Sequence, residues 1–370
     1  MENKIEEVFL AFGIEGQIIN YKMFHSGHIN TTCLVTINKN GEEKQLVMQK
    51  INRYVFKKPE DVMENIANVT GYIYKTLKEN GASTARRVLK FKPGKDKKYY
   101  IVDGEGDYWR LYKFVDKSIC FDTTDDLKVL EETGKAFGEF QTLLAGFSAS
   151  DLNIIIPHFH NTPNRYKIFK QILEQNPVDR VKHVKQEITE YLALEKIASK
   201  MYAMQKAGEL PLRVTHNDTK CNNVLFDDVT YEHICVIDLD TVMPGLVGFD
   251  FGDAIRFAGN TCSEDETDLD KIKLDLVKFD AFTKGFMAEV GDNITEAEKD
   301  TLSLGAITMT IECGLRFLTD YIDGDNYFKI SYPEHNLDRA RCQLKLAQDM
   351  IEKYSNMQDI VAKYDNSKRV

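Results

Sequence analysis

The pattern of apolar residues changes once along the chain, near Val115 to Ser118, and that change admits few architectures. Before it, short runs rich in β-branched and aromatic residues alternate with turn signals, as strands do. Ile18 to Phe24, Thr31 to Ile37 and Gln45 to Ile51 are such runs. Asn38-Lys39-Asn40-Gly41 separates the last two, and Asn-Gly tolerates the positive φ of a tight hairpin. Arg87 to Phe91 and Lys98 to Asp103 read as a further hairpin, and Trp109 to Val115 as another strand. One helix interrupts them: Pro59 opens it, Gly81 closes it, and Val62, Ile66, Val69, Ile73 and Leu77 form its buried stripe. After the change, Leu127, Leu130, Phe137, Phe140 and Leu144 recur at helical spacing, with Thr124 as N-cap and Asp125-Asp126 in the first turn. Further helices are expected over 164–174, 181–206, 265–290, 296–322 and 337–353. Strands followed by helices with one short β insertion specify an α+β protein of two lobes. The expected boundaries are a small β-rich lobe over 1–115 and a larger, mainly helical lobe over 116–370.

Composition narrows the function classes. A formal charge of −10 argues against a nucleic-acid partner, which needs a basic face. The one basic cluster, Lys90 to Lys98 around Pro93-Gly94, reads as a solvated turn. No window approaches the roughly 18 consecutive apolar residues of a membrane span. The acidic N-terminus lacks the order of a secretory signal, and the seven cysteines are odd in number and scattered, with no metal-ligand spacing. A soluble cytoplasmic protein without membrane or nucleic-acid partners is expected; the oligomeric state is left open.

The β insertion, Val214 to Asp253, carries the densest chemistry. It contains His216-Asn217-Asp218-Thr219-Lys220-Cys221-Asn222-Asn223, then the apolar run Ile234 to Ile237, which ends in Asp238-Leu239-Asp240. Asp218, Asn223 and Asp238 suit phosphoryl transfer. Magnesium takes oxygen ligands from one or two protein groups plus substrate phosphates, and a separate carboxylate can accept the proton of an attacking hydroxyl. Asp218 fits the proton-accepting part, Asn223 and Asp238 the metal, and His216 fits backbone bonding that fixes the loop. The bland alternative is a turn-rich loop, since Asp and Asn bond their own backbone. Upstream, Lys50 is either an exposed edge residue or a cation over a bound anion. Glu64 is either a first-turn charge or the partner of Lys50. The chain has no G-x-S-x-G elbow, no H-E-x-x-H helix and no G-x-x-x-x-G-K-[ST] loop.

HNDTKCNNVLFD followed by VIDLDTVMPGLVGFDFGDAIRF resembles the aminoglycoside phosphotransferase and choline kinase-like superfamily. Within it, the run Ile156 to Pro163 and the pair Arg316-Phe317 are most similar to bacterial N-acetylhexosamine 1-kinases. The resemblance implies a bilobal protein-kinase-like fold, with ATP between the lobes and Mg²⁺ as cofactor. It implies Asp218 as catalytic residue and Asn223 and Asp238 as metal ligands. Lys50 would contact the nucleotide phosphates, with Glu64 as its ion-pair partner. Tyr112, Phe114 and Val115 would form the hinge at adenine. Gly27 is the single glycine of the phosphate-covering loop, His25 to His28. His28, Phe257, Arg316 and Tyr327 would line a sugar pocket, with Arg316 expected in a largely buried helix, and Asp240 has no assigned role. The loop's one glycine, Leu239-Asp240 where protein kinases have Phe-Gly, and the lack of an A-P-E segment all disfavour a protein substrate. The function implied is phosphorylation of the anomeric hydroxyl of N-acetylglucosamine or N-acetylgalactosamine. Its alternatives are another small alcohol (an aminoglycoside, choline or an amino-alcohol) and a catalytically silent nucleotide-binding pseudokinase.

Overall fold

The computed structural model describes residues 2–24 and 29–365. Gly27 and His28, expected over the phosphates and the acceptor, lie outside the described residues. The chain opens with α1 (Glu2–Phe12), an element the strand reading did not anticipate. Its Ile5, Val8, Phe9 and Phe12 cover one face of an antiparallel sheet, against Cys33, Val35, Leu46, Met48, Trp109 and Leu111. The sheet is built from β1 (Gln17–Phe24), β2 (Thr31–Lys39) and β3 (Glu42–Lys50). After α2 (Pro59–Glu79) come β4 (Ile101–Val102) and β5 (Tyr108–Lys113), giving the order β1-β2-β3-β5-β4.

Strand alternation now decides what each face presents. Leu46, Met48 and Lys50 point to α1, whereas Gln49 and Arg110, paired across β3 and β5, point to α2 and the second lobe. The expected hairpin between 87–91 and 98–103 is corrected. Lys92 N bonds Leu111 O at 2.7 Å and Lys113 N bonds Lys90 O at 3.0 Å, so this segment lies on β5. Only Ile101–Val102 of the second run forms a strand, also on β5. The outer edge of β5 satisfies both segments, which leaves neither free to pair with the other.

In the second lobe, β6 (Ser118–Ile119) precedes α3 (Leu127–Leu143). The cap of α3 is Asp126, which accepts from Lys128 N at 2.8 Å, while Thr124 Oγ1 accepts from Asp126 N. The helix therefore starts later than expected. After α4 (Thr162–Gln175), the single helix expected over 181–206 is three: α5 (Lys185–Ala193), α6 (Glu195–Ala198) and α7 (Lys200–Lys206). The breaks seat Tyr191 against Ala340 O and Met201 against Gly248, both fully buried. The insertion forms β7 (Arg213–Thr215), β8 (Val224–Asp227), β9 (His233–Val236) and β10 (Met243–Gly245). Helices α8 (Val247–Ala258), α9 (Leu276–Val290), α10 (Glu296–Asp323), α11 (His335–Glu352) and α12 (Tyr354–Tyr364) complete the chain. Helix α9 begins well after 265 because Asp275 caps it, accepting from Val277 N and Lys278 N.

Helices α8 and α10 touch through backbone. A Cβ on Gly252 would lie 2.3 Å from Gly305 O, and one on Gly305 would lie 1.9 Å from Gly248 O. This contact fixes α8 directly beneath the loop between β7 and β8. No helix of the described residues is long and apolar enough to cross a membrane.

Candidate active site

The loop after β7 is held from below by two carboxylates of α8. Asp250 Oδ2 accepts from His216 N at 2.8 Å and from Gln141 Nε2 at 3.1 Å; its Oδ1 accepts from Asn217 N at 2.8 Å. Asp253 Oδ2 accepts from Thr219 N at 3.3 Å, while its Oδ1 takes two bonds from Arg256. Asn217 sits at φ 64°, a left-handed conformation that Asn tolerates. His216 is fully buried; Nδ1 accepts from Asp218 N at 3.3 Å, and Nε2 meets Ile237 O at 2.8 Å. Both ring nitrogens are thus spent on backbone, tying the loop to the strand end that carries Asp238.

These supports aim Asp218 at the cleft. Its Oδ1 lies 3.0 Å from Lys220 Nζ, and its Oδ2 accepts from Asn223 Nδ2 at 3.1 Å. Asn223 spends its amide nitrogen on Asp218, which leaves Oδ1 as the atom for a cation. Asp238 follows β9 at φ 57°, and its side chain accepts no hydrogen bond among the described residues. Its carboxyl is pushed up to about 6, first by desolvation among the protein atoms packed around it, although the residue itself reaches solvent, then by the neighbouring Asp240 and Asp218 charges. A solvent-facing carboxylate without a donor among the described residues, beside two other carboxylates and an amide oxygen, is a donor set that fits Mg²⁺. Burial works against the charge of Lys220, yet the Asp218 and Asp253 carboxylates outweigh it and raise its pKa.

The first lobe departs from expectation. Lys50 does not meet Glu64. Lys50 Nζ bonds Asp107 Oδ2 at 3.1 Å on the α1 face, away from the cleft, while Glu64 is exposed and accepts from Asn153 Nδ2 at 3.0 Å. The reason is parity: one residue along a strand reverses the face. The cleft-facing position of β3 is Gln49, whose Oε1 accepts from Arg110 Nε at 2.8 Å. Arg110 is 2% exposed and grips both carboxylate oxygens of Asp240, Nη2 to Oδ2 at 3.1 Å and Nη1 to Oδ1. Asn30 adds a bond to Asp240 Oδ2 at 2.5 Å. At the hinge, Phe114 N bonds Gln45 O and Val115 O accepts from Ser118 Oγ. The Tyr112 ring lies 5.1 Å from Phe91 and joins Leu89, Val115, Ile234 and Cys235 in a small apolar cluster shared by both lobes.

At the other end of the cleft, Phe257 lies under Lys220 Nζ, 5.3 Å from the ring centre, with the Arg256 guanidinium 3.9 Å away. Phe257 is thereby beside Asp218. Arg316 stands on a largely buried helix, as expected, is itself half-buried, and lies over Phe159, Tyr327 and Phe328 at 6.0, 5.7 and 5.3 Å. Rings rather than a carboxylate accompany it, so the exposed Tyr327 serves as part of its frame. Beneath Phe159, buried Glu312 accepts from Thr162 at 2.6 Å and meets His160 Nδ1 at 2.9 Å.

Four residues of this arrangement escaped the sequence reading. Lys220 stands inside the motif, two residues from Asp218. Asp250 and Asp253 repeat at helical spacing in an apolar run, a signal that could have marked them. Arg110 is a charge set between Trp109 and Leu111 inside a strand, and that too is a signal.

The fold recurs in solved structures. A microcompartment-associated aminopropanol kinase matches with a TM-score of 0.61 and 13% identity, over 97% of this chain and 99% of its own. A spectinomycin phosphotransferase in complex with ADP and spectinomycin matches at 0.53 and 13%, over 98% of both chains. A choline kinase from Cryptosporidium parvum matches at 0.51 and 15%, over 92% of this chain and 90% of its own. At the level of sequence, residues 20–277 match the model of the phosphotransferase enzyme family (APH). The match spans well over half of the chain and includes Asp218, Asn223 and Asp238, and the protein belongs to that family.

Proposed function

We propose that the chain transfers the γ-phosphoryl group of ATP to the anomeric hydroxyl of an N-acetylhexosamine, N-acetylglucosamine or N-acetylgalactosamine, giving the sugar 1-phosphate. The observation that carries this acceptor is Arg316, a cation with no ion pair among the described residues, framed by Phe159, Tyr327 and Phe328. The carboxylates around it are committed: Asp253 and Glu264 to Arg256, Glu312 to His160 and Thr162. A cationic acceptor needs free carboxylates or an aromatic cage without a resident cation. A neutral pyranose suits this wall instead, with rings for its apolar face and a guanidinium for acetamido or hydroxyl oxygens.

Asp218 orients the attacking hydroxyl and takes its proton at Oδ1 or Oδ2 as the bond to the γ-phosphorus forms and the bond from that phosphorus to the β–γ bridging oxygen breaks, releasing ADP. Lys220, at 3.0 Å from Asp218, holds the transferring phosphoryl oxygens near that carboxylate. Asn223 Oδ1 and Asp238 would hold Mg²⁺, which supplies charge neutralisation on the nucleotide phosphates. Asp250 and Asp253 keep the loop backbone from shifting as the proton moves. The shared cluster around Tyr112, Val115 and Ile234 gives adenine an apolar seat.

The second reading is a kinase of an amino-alcohol, choline or an aminoglycoside, and the substrates named for the neighbours favour it. Incubation with ATP, Mg²⁺ and a panel of amino sugars, neutral sugars, choline and aminoglycosides separates the two. A sugar 1-phosphate is the expected product. Turnover confined to choline, an amino-alcohol or an aminoglycoside replaces the sugar with that acceptor, and nucleotide binding with no turnover on any of them indicates a pseudokinase.

A further inference from the structure

Phosphoryl transfer from ATP needs a cation on the first lobe, because the α and β phosphates lie away from the loop that carries Asp218. The strand lysine does not supply it, since Lys50 faces α1 and is paired with Asp107. Arg110 is the guanidinium that the cleft face of the same sheet directs at the second lobe, two residues of chain from Asp238 through its partner Asp240. The Asp238 and Asp240 charges both act on it.

Its hydrogen bonding is incomplete. A guanidinium carries five N–H donors. Gln49 takes Nε–H, and Asp240 takes one hydrogen from each Nη. The second Nη1 hydrogen meets only the weak Met63 sulfur acceptor at 4.0 Å, and the second Nη2 hydrogen has no partner among the described residues. A buried ion pair is a poor device for stability alone, since apolar residues of similar size commonly do as well or better. A buried arginine held by Gln49 and Asp240, with Asn30 bracing the carboxylate, with one donor unpartnered and another on a weak sulfur acceptor, is a device for an anion.

We propose that Arg110 holds the α and β phosphates of the nucleotide, and that Asp240 is its positioning residue. The Arg110–Asp240 pair then does in this chain what a strand lysine and a helix glutamate do together in kinases whose register presents the lysine. The acid has moved from α2 to the loop after β9, and the cation from β3 to β5. The pair also spans the lobes, so a nucleotide that engages Arg110 is bonded to the loop bearing Asp238. This assignment rests on the nucleotide half of the proposed function, not on the sugar.

The test measures nucleotide affinity with a fluorescent ADP analogue, alongside ATP and acceptor KM. Arg110→Met should raise the nucleotide Kd by about 30-fold or more, as for loss of two charge-assisted bonds, with acceptor KM within about two-fold. Lys50→Ala should leave nucleotide Kd within about two-fold, because its charge is on the other face. Gln49→Lys combined with Arg110→Met returns a cation to the cleft face of β3 and should recover about ten-fold of the lost affinity. A purely structural latch would lower thermal stability in Arg110→Met without this recovery. Should Arg110→Met fail to fold, Arg110→Lys keeps the charge and removes the fork, with an expected rise in nucleotide Kd of about ten-fold. Unchanged nucleotide affinity in Arg110→Met or Arg110→Lys, or a loss in Lys50→Ala instead, overturns the assignment. A wild-type protein that binds no adenine nucleotide overturns the ATP reading itself, a different outcome.

Discussion

The two lobes secure their functional groups in opposite ways. In the second, one loop of eight residues is pinned from a single helix: Asp250 and Asp253 together accept from the backbone of His216, Asn217 and Thr219. In the first, the Arg110 guanidinium is held in place by β5, β3, Asn30 just before β2 and a loop of the other lobe. A local arrangement tolerates little and works as one unit. A distributed one depends on register, and its parts can move between strands while the charge stays in place.

This contrast predicts that second-lobe substitutions act on turnover and first-lobe ones on nucleotide affinity. The largest effect belongs to Asp218→Asn: kcat should fall by about 10³-fold or more while nucleotide Kd is kept, as single-turnover and binding measurements would show. Near-normal kcat would remove Asp218 from its role. Next is Asp250→Ala, which strands two backbone N–H groups and the Gln141 amide. It should lower kcat by about 10²-fold through misplacement of the loop. It should also cost about 3 kcal/mol in denaturant unfolding. A shift in nucleotide Kd with kcat intact would break the comparison.

A smaller effect tests the seam that carries β9. His233 donates to Glu132 from N at 3.0 Å and lies 2.7 Å from it through Nδ1, with Glu139 near Nε2. Burial disfavours its charge, but the Glu132 and Glu139 bonds outweigh this and hold its pKa at about 9, above the ordinary 6.5. The folded state therefore keeps a proton that the unfolded chain releases. The resulting stability is complete below about pH 6.5 and is lost as pH rises through about 9, at most about 3 kcal/mol. Melting temperature followed from pH 6 to 10 should decline more in the wild type than in His233→Gln; parallel curves would contradict the pairing. Smallest of all is Glu64→Gln, expected to change ATP KM by less than about two-fold, since an exposed bond to Asn153 is worth little. A ten-fold change would reinstate Glu64 as a nucleotide-site group and undo the contrast between the lobes.

The same contrast explains what could be read from the sequence. The grouping of Asp218, Asn223 and Asp238 was legible because loop and strand end are close in sequence and phosphoryl transfer calls for those residue types. Lys50 was misread because residue type survives a one-residue shift of face while geometry does not, and the β3–β5 register is set by α1 packing on Leu46 and Met48. Asp250 was hidden because its partners are backbone groups, which leave no trace in residue identity. The order of lobes followed from periodicity. The breaks of the 181–206 helix did not, since they are imposed by the seats of Tyr191 and Met201 on distant helices.

Helix α10 links these matters in one rod. Its Gly305 rests on the backbone of α8, under the loop that carries Asp218, and its Arg316 stands eleven residues farther on, at the proposed acceptor wall. At about 1.5 Å per residue the two ends are roughly 16 Å apart. On the proposed function, the helix is a ruler that fixes the distance between the reacting phosphoryl group and the far edge of the acceptor. Its distal turns can be rewritten for a larger or differently charged alcohol while the glycine end stays constant. A graft that begins beyond Gly305 should exchange acceptors between relatives without touching the machinery of transfer.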